Sequence, residues 1–107
     1  MLNTLESLFN LARERKKSPI DGSYTNRLLS DKSLSKAKVL EEINELIESV
    51  EKDTNKIHEA ADVFYHLAVY LEANNIKIED VMSELDKRKK WAINFINLQD
   101  QDYKEVN

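Results

Sequence analysis

Apolar side chains recur every three or four residues along most of this chain, a spacing that predicts helices. The first predicted helix covers residues 2–16, and a short helix is expected from Ser23, after breaks at Pro19 and Gly22. No segment alternates between apolar and polar residues for long, and Gly and Pro occur only once each. The pattern therefore predicts an all-α protein.

Three further segments complete the predicted helical bundle. One runs from Ser33 or Ser35 to about Glu51, and its apolar stripe is expected to be core. The next, around residues 60–71, is apolar almost all the way round, so it is expected to be the central helix. A last helix begins near Ile78. The apolar stripe of the first of these three segments consists of Leu40, Ile43, Ile47 and Val50.

The predicted organisation is one helical domain over residues 1–98, with four main helices and a short one, and a polar tail over residues 99–107 that frays. A domain of this size buries only about two thirds of the surface of its unfolded chain. Helices that leave an apolar face uncovered would favour pairing with a second copy. We therefore expect a homodimer.

Composition narrows the classes of function. The net charge is −4 and both signs are interleaved, which argues against a nucleic-acid surface. The start lacks the features of a signal peptide and no apolar run has the length of a membrane span, so we expect a cytoplasmic protein without membrane contact. There is no cysteine, so any metal would be held by oxygen or imidazole.

Two of the predicted helices carry acids one turn apart on one face. Glu42 and Glu45 lie on the first, beside Glu41, and Glu59 and Asp62 lie on the second. Asp62 stands in the apolar segment, where an unpaired carboxylate would cost on the order of several kcal/mol. A divalent cation between the two helices would offset that cost, and Mg²⁺ or Mn²⁺ prefers such oxygen ligands.

These side chains also have ordinary structural interpretations. Acids on a charged helix are usually solvated, and Asp62 could instead pair with Lys38 or Arg88. His66 is expected more often as a hydrogen-bonded core residue than as a ligand, and His58 is expected at the surface. Lys38 and Arg88 could contact a phosphate at the edge of the acidic site, or could simply be solvated charges.

The segments Gly22–Thr25, Lys38–Glu45 and Glu59–His66, in this order, resemble the phosphoribosyl-ATP pyrophosphatase family, and the match extends to about Arg88. The acids alone indicate only the broader MazG-like superfamily of all-α nucleoside triphosphate pyrophosphatases. The Gly-Ser-Tyr-Thr segment and the Ala-Asp-x-x-Tyr-His run narrow the resemblance to the member from histidine biosynthesis.

This resemblance implies hydrolysis of phosphoribosyl-ATP to phosphoribosyl-AMP and pyrophosphate by a monofunctional, dimeric enzyme that needs Mg²⁺, with Mn²⁺ as a substitute. The implied metal ligands are Glu42, Glu45, Glu59 and Asp62. The implied catalytic residues are Glu41, Glu42 and Glu45. The substrate-binding candidates are Ser23, Tyr24, Thr25, Lys38 and Arg88.

One position departs from the family. Leu40 stands where many members have glycine, which indicates a subgroup of the family and not a loss of activity. Two other functions stay open from the sequence. The same acids would serve a MazG-like enzyme acting on free nucleoside or deoxynucleoside triphosphates, and a noncatalytic helical dimerisation module would use them only to solvate helix faces.

Overall fold

The computed structural model describes residues 2–89, 96 and 97, and the chain divides into two compact units, Met1–Ile76 and Lys77–Asn107. All regular structure in these described residues is helical, so the all-α prediction is confirmed. The predicted frayed tail falls outside the described residues, and a single domain over residues 1–98 stays a prediction. The first unit contains α1 (Asn3–Lys17), α2 (Tyr24–Ser30), α3 (Lys32–Lys52) and α4 (Lys56–Ala73).

The connection between α1 and α2 fixes where the short helix begins. Gly22 has a φ of 79°, a left-handed conformation that glycine adopts without steric cost, and the Ser23 N–H donates to the Ile20 carbonyl at 3.1 Å. The Ser23 hydroxyl then accepts from the Asn26 N–H at 3.2 Å, which caps α2 as the sequence predicts. The turn therefore sets the position of the residues that follow Ser23.

The connection between α3 and α4 is a tight reversal. Asp53 and Asn55 both have positive φ, and the Thr54 N–H donates to the Ser49 carbonyl at 2.9 Å, a bond that closes the end of α3. With so short a connection, α4 packs back along α3. It also contacts α1 and α2, so its prediction as the central helix is confirmed.

The core of the first unit lies where α1, α2 and α4 meet. Ala12, Leu28 and Val69 form a buried cluster, one residue from each of these helices. Leu28 and Val69 are completely buried. The centre of this core therefore does not depend on the apolar stripe of α3.

The prediction that the α3 stripe is core is wrong for the single chain. The buried positions of α3 are Ser35, Glu42 and Ser49, spaced by seven residues along one face. The two serines are small, so this face can lie close to the neighbouring helices. The stripe lies on another face and stays exposed. Its exposed fractions run from 39% to 57%, at Leu40, Ile43, Ile47 and Val50.

The second unit is described over residues 77–89, 96 and 97. Its helix α5 covers residues 78–89, where the Arg88 Nε donates to the Glu84 carboxylate at 2.8 Å. The aromatic Trp91, expected in a core or an interface, lies outside the described residues. Among the helices described here, none combines the length and apolar character required to cross a membrane.

Candidate metal centre

Four acids meet along the contact between α3 and α4. Ligand atoms of Glu42, Glu45 and Glu59 all lie within 4.8 Å of one another, and so do those of Glu59, Asp62 and His58. Because Glu59 belongs to both groups, the four carboxylates form one continuous patch, which we call the acid cluster (Glu42, Glu45, Glu59 and Asp62). The two pairs of acids proposed from the sequence are therefore brought together.

Glu42 is the buried member of the acid cluster. Its exposed fraction is 9%, and its Oε2 is buried without a hydrogen-bond partner among the described residues. Burial raises the pKa of this carboxyl, and the neighbouring charge of Glu45 raises it further. A buried carboxylate oxygen without a donor is costly unless a cation or a proton meets it.

Glu59 repeats this arrangement from the facing helix. Its Oε2 is also buried without a hydrogen-bond partner in the described part of the chain. Burial of the carboxyl raises its pKa, and the charges of Glu45 and Asp62 add to that rise, while His58 opposes it. Two carboxylates on facing helices, each with an unpaired buried oxygen and with ligand atoms within 4.8 Å of each other, fit a hard divalent cation.

Asp62 does not have the buried position that the sequence predicts. Its side chain is 37% exposed, and its Oδ2 lies 3.3 Å from the Nε2 of His58, one turn earlier on α4. The buried residues of α4 all belong to its second half, from His66 onward, so Asp62 lies in the less covered half. The orphaned buried acid is therefore Glu42, which the sequence did not distinguish from a solvated glutamate.

Lys38 and Glu41 lie at the edge of the acid cluster. The Lys38 Nζ is 3.2 Å from the Glu41 carboxylate, and this hydrogen bond raises the pKa of the lysine. The alternative pairing of Asp62 with Lys38 is not the one observed. Glu41 belongs to neither of the two ligand groups found among the described residues. Its carboxylate is half exposed and remains reachable from solvent.

The three hydroxyl residues at the start of α2 have different partners. The Ser23 hydroxyl caps α2, and the Thr25 hydroxyl is hydrogen-bonded to the Tyr65 hydroxyl. The Tyr24 hydroxyl lies 3.1 Å from the Nε2 of His66. All three predicted substrate contacts thus have hydrogen bonds within the fold, and their role towards substrate stays a prediction.

Tyr24 is the member of this group that lies near the acids. Burial raises the pKa of its phenol, the Lys38 charge opposes that rise, and Glu41 and Glu42 add to it. Tyr24 also lines an open groove of about 640 Å³, beside Lys16, Gly22 and Arg27. Tyr24 therefore lines this groove and is also within electrostatic reach of Glu41 and Glu42.

His66 is a hydrogen-bonded core residue, as the sequence predicts. Its exposed fraction is 7%, and its Nδ1 lies 2.8 Å from the carbonyl oxygen of Asp62. The rings of Tyr24 and Tyr65 pack edge-on against it. The sequence pattern does not identify His66 as a site residue, because no spacing rule connects residues 24 and 66.

Comparison with known proteins identifies the family. The family described as phosphoribosyl-ATP pyrophosphohydrolase matches residues 2–89 of this chain. A protein named phosphoribosyl-ATP pyrophosphatase from Clostridium acetobutylicum is 45% identical over 95 residues, which cover 84% of each chain. A protein of the same name from Bacillus mycoides is 45% identical over 93 residues, covering 82% of this chain and 85% of the relative.

A third relative with this name, from Clostridium botulinum, is 38% identical over 96 residues, or 86% of each chain. The family model and these three relatives agree with the resemblance seen in the residues themselves. The acids, Tyr24 and Lys38 all fall within the matched range. The chain belongs to the phosphoribosyl-ATP pyrophosphohydrolase family.

Proposed function

We propose that this protein hydrolyses phosphoribosyl-ATP to phosphoribosyl-AMP and pyrophosphate, an early step of histidine biosynthesis, in the cytoplasm. The observation that carries the proposal is the pair of unpaired, buried carboxylate oxygens of Glu42 and Glu59 inside one cluster of acids. Membership of the family and the names of its curated relatives support the choice of substrate.

The residues present fit a magnesium site. Carboxylate oxygens are the ligands that Mg²⁺ and Mn²⁺ prefer, and two buried oxygens of the cluster have no hydrogen-bond partner among the described residues. When bound, Mg²⁺ supplies a Lewis acid that polarises the phosphoryl group under attack and makes water a better nucleophile. The residues that would hold it are Glu42, Glu45, Glu59 and Asp62.

The side chains at the edge of the cluster would orient substrate and move a proton. Lys38 presents an ammonium beside the acids, where it can donate to a phosphate oxygen while it stays paired with Glu41. A carboxylate with a free lone pair takes the proton of the attacking water, and we assign this to Glu41 or Glu45. Arg88 stays a sequence-based candidate for a phosphate contact.

The exposed α3 stripe would be covered by a second copy of the chain. The stripe residues are half exposed although they are aliphatic, and they lie on one face of a helix. A homodimer through this face would supply the apolar burial that the single chain lacks.

A pyrophosphate-release assay tests the proposed function. The full chain is given phosphoribosyl-ATP, ATP, dATP or dCTP, each with Mg²⁺ or with a chelator. We expect phosphoribosyl-ATP to be cleaved with the highest kcat/KM, and no release in chelator. A preference for dATP or dCTP would show that the substrate is a free nucleotide. Pyrophosphate release in chelator would show that the reaction needs no metal. If no nucleotide releases pyrophosphate, the noncatalytic dimerisation module is the function that agrees with the result.

A further inference from the structure

His58 places a nitrogen ligand at the outer end of the acid cluster. Its Nε2 lies 3.3 Å from the Oδ2 of Asp62, one turn later on α4. A ligand atom of Glu59 lies within 4.8 Å of those of both residues. The proposed magnesium ligands do not include His58, and the sequence predicts it only as a surface residue. The three side chains form a second ligand group, which we call the mixed group (His58, Glu59 and Asp62).

The mixed group is continuous with a buried part of the cluster that lacks hydrogen-bond donors. Glu59 belongs to both ligand groups, and its Oε2 is buried without a partner among the described residues. Beyond it, Glu42 is only 9% exposed, and its Oε2 is likewise unpaired in that part of the chain. Exposed acids on a helix need no cation, but buried carboxylate oxygens without a donor are costly unless a cation or a proton meets them.

The imidazole changes which cation the mixed group prefers. Mg²⁺ binds oxygen ligands, whereas imidazole nitrogen is a common ligand of Zn²⁺. Zinc in proteins is held tetrahedrally at about 2.1 Å, so two of its ligand atoms lie about 3.4 Å apart. Neighbouring ligands of an octahedral Mg²⁺ lie about 2.9 Å apart. The 3.3 Å between the His58 and Asp62 atoms therefore fits zinc better than magnesium.

The outer end of the cluster is open to solvent. The side chains of His58 and Asp62 are 72% and 37% exposed, so an incoming ion reaches them without a change in the fold. Three protein ligands with a fourth position left to water is an ordinary zinc coordination. The mixed group provides those three ligands from one turn of α4.

We propose that the mixed group is a zinc site, in which His58, Glu59 and Asp62 hold Zn²⁺ and His58 selects it over Mg²⁺. Zinc bound there occupies two carboxylates, those of Glu59 and Asp62, that the proposed reaction needs for Mg²⁺. Zn²⁺ therefore competes with Mg²⁺ and inhibits pyrophosphate release. The inhibition rests on the proposed function, whereas the zinc site itself does not.

Calorimetric titration of the metal-free full chain tests the zinc site without turnover. We expect Zn²⁺ to bind more tightly than Mg²⁺, and His58→Gln to lower the zinc affinity at least about tenfold, the loss that even an indirect partner of a metal ligand causes. The magnesium affinity should not change. The control is Ile57→Gln, which introduces the same amide at the neighbouring, 88% exposed position and should keep the zinc affinity. Equal zinc affinity in the wild type and His58→Gln would overturn the inference.

Nitrogen NMR of the imidazole rings locates the bound zinc. The chain has two histidines, and both ring nitrogens of His66 are hydrogen-bonded in the core, so His66 serves as an internal reference. Zn²⁺ should shift the Nε2 resonance of His58, and Mg²⁺ should not reproduce that shift. A zinc-induced shift at His66 alone, or at neither histidine, would show that His58 is not a zinc ligand.

Inhibition kinetics separate this inference from the proposed function. In the release assay with phosphoribosyl-ATP, Mg²⁺ and buffered free Zn²⁺, added Mg²⁺ should relieve the inhibition, and His58→Gln should need about tenfold more Zn²⁺ than the wild type for half-inhibition. Equal sensitivity of the two proteins contradicts the inference and leaves the proposed function intact. If zinc binds through His58 but no nucleotide is cleaved, the zinc site stands and the proposed function fails.

Discussion

Glu42 on α3 and Glu59 on α4 face each other across the helix contact, with ligand oxygens within 4.8 Å and one buried oxygen on each that no described residue bonds. Each carboxyl has its pKa raised by burial and by neighbouring acids. Without a cation, the folded chain therefore holds negative charges in a place that destabilises it. Neutralising one of these carboxylates should therefore raise the stability of the metal-free protein and lower its affinity for the metal, and both effects can be measured.

Replacing Glu42 by Gln should stabilise the metal-free protein while it weakens metal binding. Glutamine has almost the same shape, removes the buried charge and can donate to a neighbouring carboxylate. A gain of ~1 kcal/mol would raise the melting temperature by about 4 °C in a chain of this size. The checks are thermal unfolding in chelator and calorimetric titration with Mg²⁺.

Glu48→Gln is the matched control on the same helix. Glu48 is exposed, and the hydrogen bond and charge of Lys52 lower its pKa, so neutralising it removes a favourable pair. This variant should show no gain in melting temperature and unchanged affinity for Mg²⁺. If Glu42→Gln melts at or below the wild-type temperature in chelator, the charge of Glu42 is not a source of strain.

The metal-free protein should become more stable as the pH falls from neutrality towards the ordinary glutamate pKa of 4.5. A carboxyl whose pKa is higher in the folded than in the unfolded chain binds its proton more tightly when folded. Its contribution to stability is therefore complete below the unfolded pKa and is lost as the pH rises through the folded one. Urea unfolding at several pH values, in chelator, measures this slope.

The same raised pKa values predict the opposite trend for the affinity of the metal. Mg²⁺ binds the ionised carboxylates, so protons compete with it, and binding should release protons into a weakly acidic buffer. Calorimetry in two buffers of different ionisation enthalpy counts those protons. The Glu42→Gln variant should release fewer protons. A count equal to that of the wild type would show that the raised pKa belongs to groups other than Glu42.

The sequence predicts the helices well because their signals are local. The pattern predicts the first helix over residues 2–16, which agrees with the observed Asn3–Lys17, and it predicts the Ser23 cap of α2 that the structure shows. The sequence also predicts that the acids meet, since their spacing places each pair on one helix face. Local patterns do not determine which face is covered, however. Glu42 is buried because α3 turns the face of Ser35 and Ser49 inward, and tertiary packing alone decides that choice.

Asp62→Asn should abolish pyrophosphate release and leave the fold intact. The side chain is partly exposed, so the substitution should change the free energy of unfolding by only about 0.5 kcal/mol. Activity should fall because the cluster loses one of its anionic oxygens. Circular dichroism and the release assay with Mg²⁺ measure the two effects separately.

His58→Gln is the companion variant for Asp62. It removes the imidazole that pairs with Asp62 but leaves the carboxylate, and the His58 side chain is 72% exposed. We expect wild-type stability and turnover close to wild type. If the Asp62→Asn variant keeps Mg²⁺-dependent turnover, Asp62 is not one of the metal ligands.

A charge in the middle of the α3 stripe should separate the proposed dimer. Ile47 is 51% exposed in the single chain, and a second copy packed on the stripe would bury it. A glutamate there would place an unpaired carboxylate in an apolar interface, at a cost on the order of several kcal/mol. Ile47→Glu should therefore change the mass measured by light scattering from twice 12.5 kDa to 12.5 kDa.

The control for this interface is Leu11→Glu on α1. Leu11 is 56% exposed, similar to Ile47, but it lies on a different helix, so its substitution should leave the mass at the dimer value. Both variants should keep their helical circular dichroism, because neither side chain is buried in the single chain. A wild-type mass of 12.5 kDa at micromolar concentration, or a dimer that persists in Ile47→Glu, would contradict pairing through this stripe. If Leu11→Glu alone dissociates the protein, the interface lies on α1 instead.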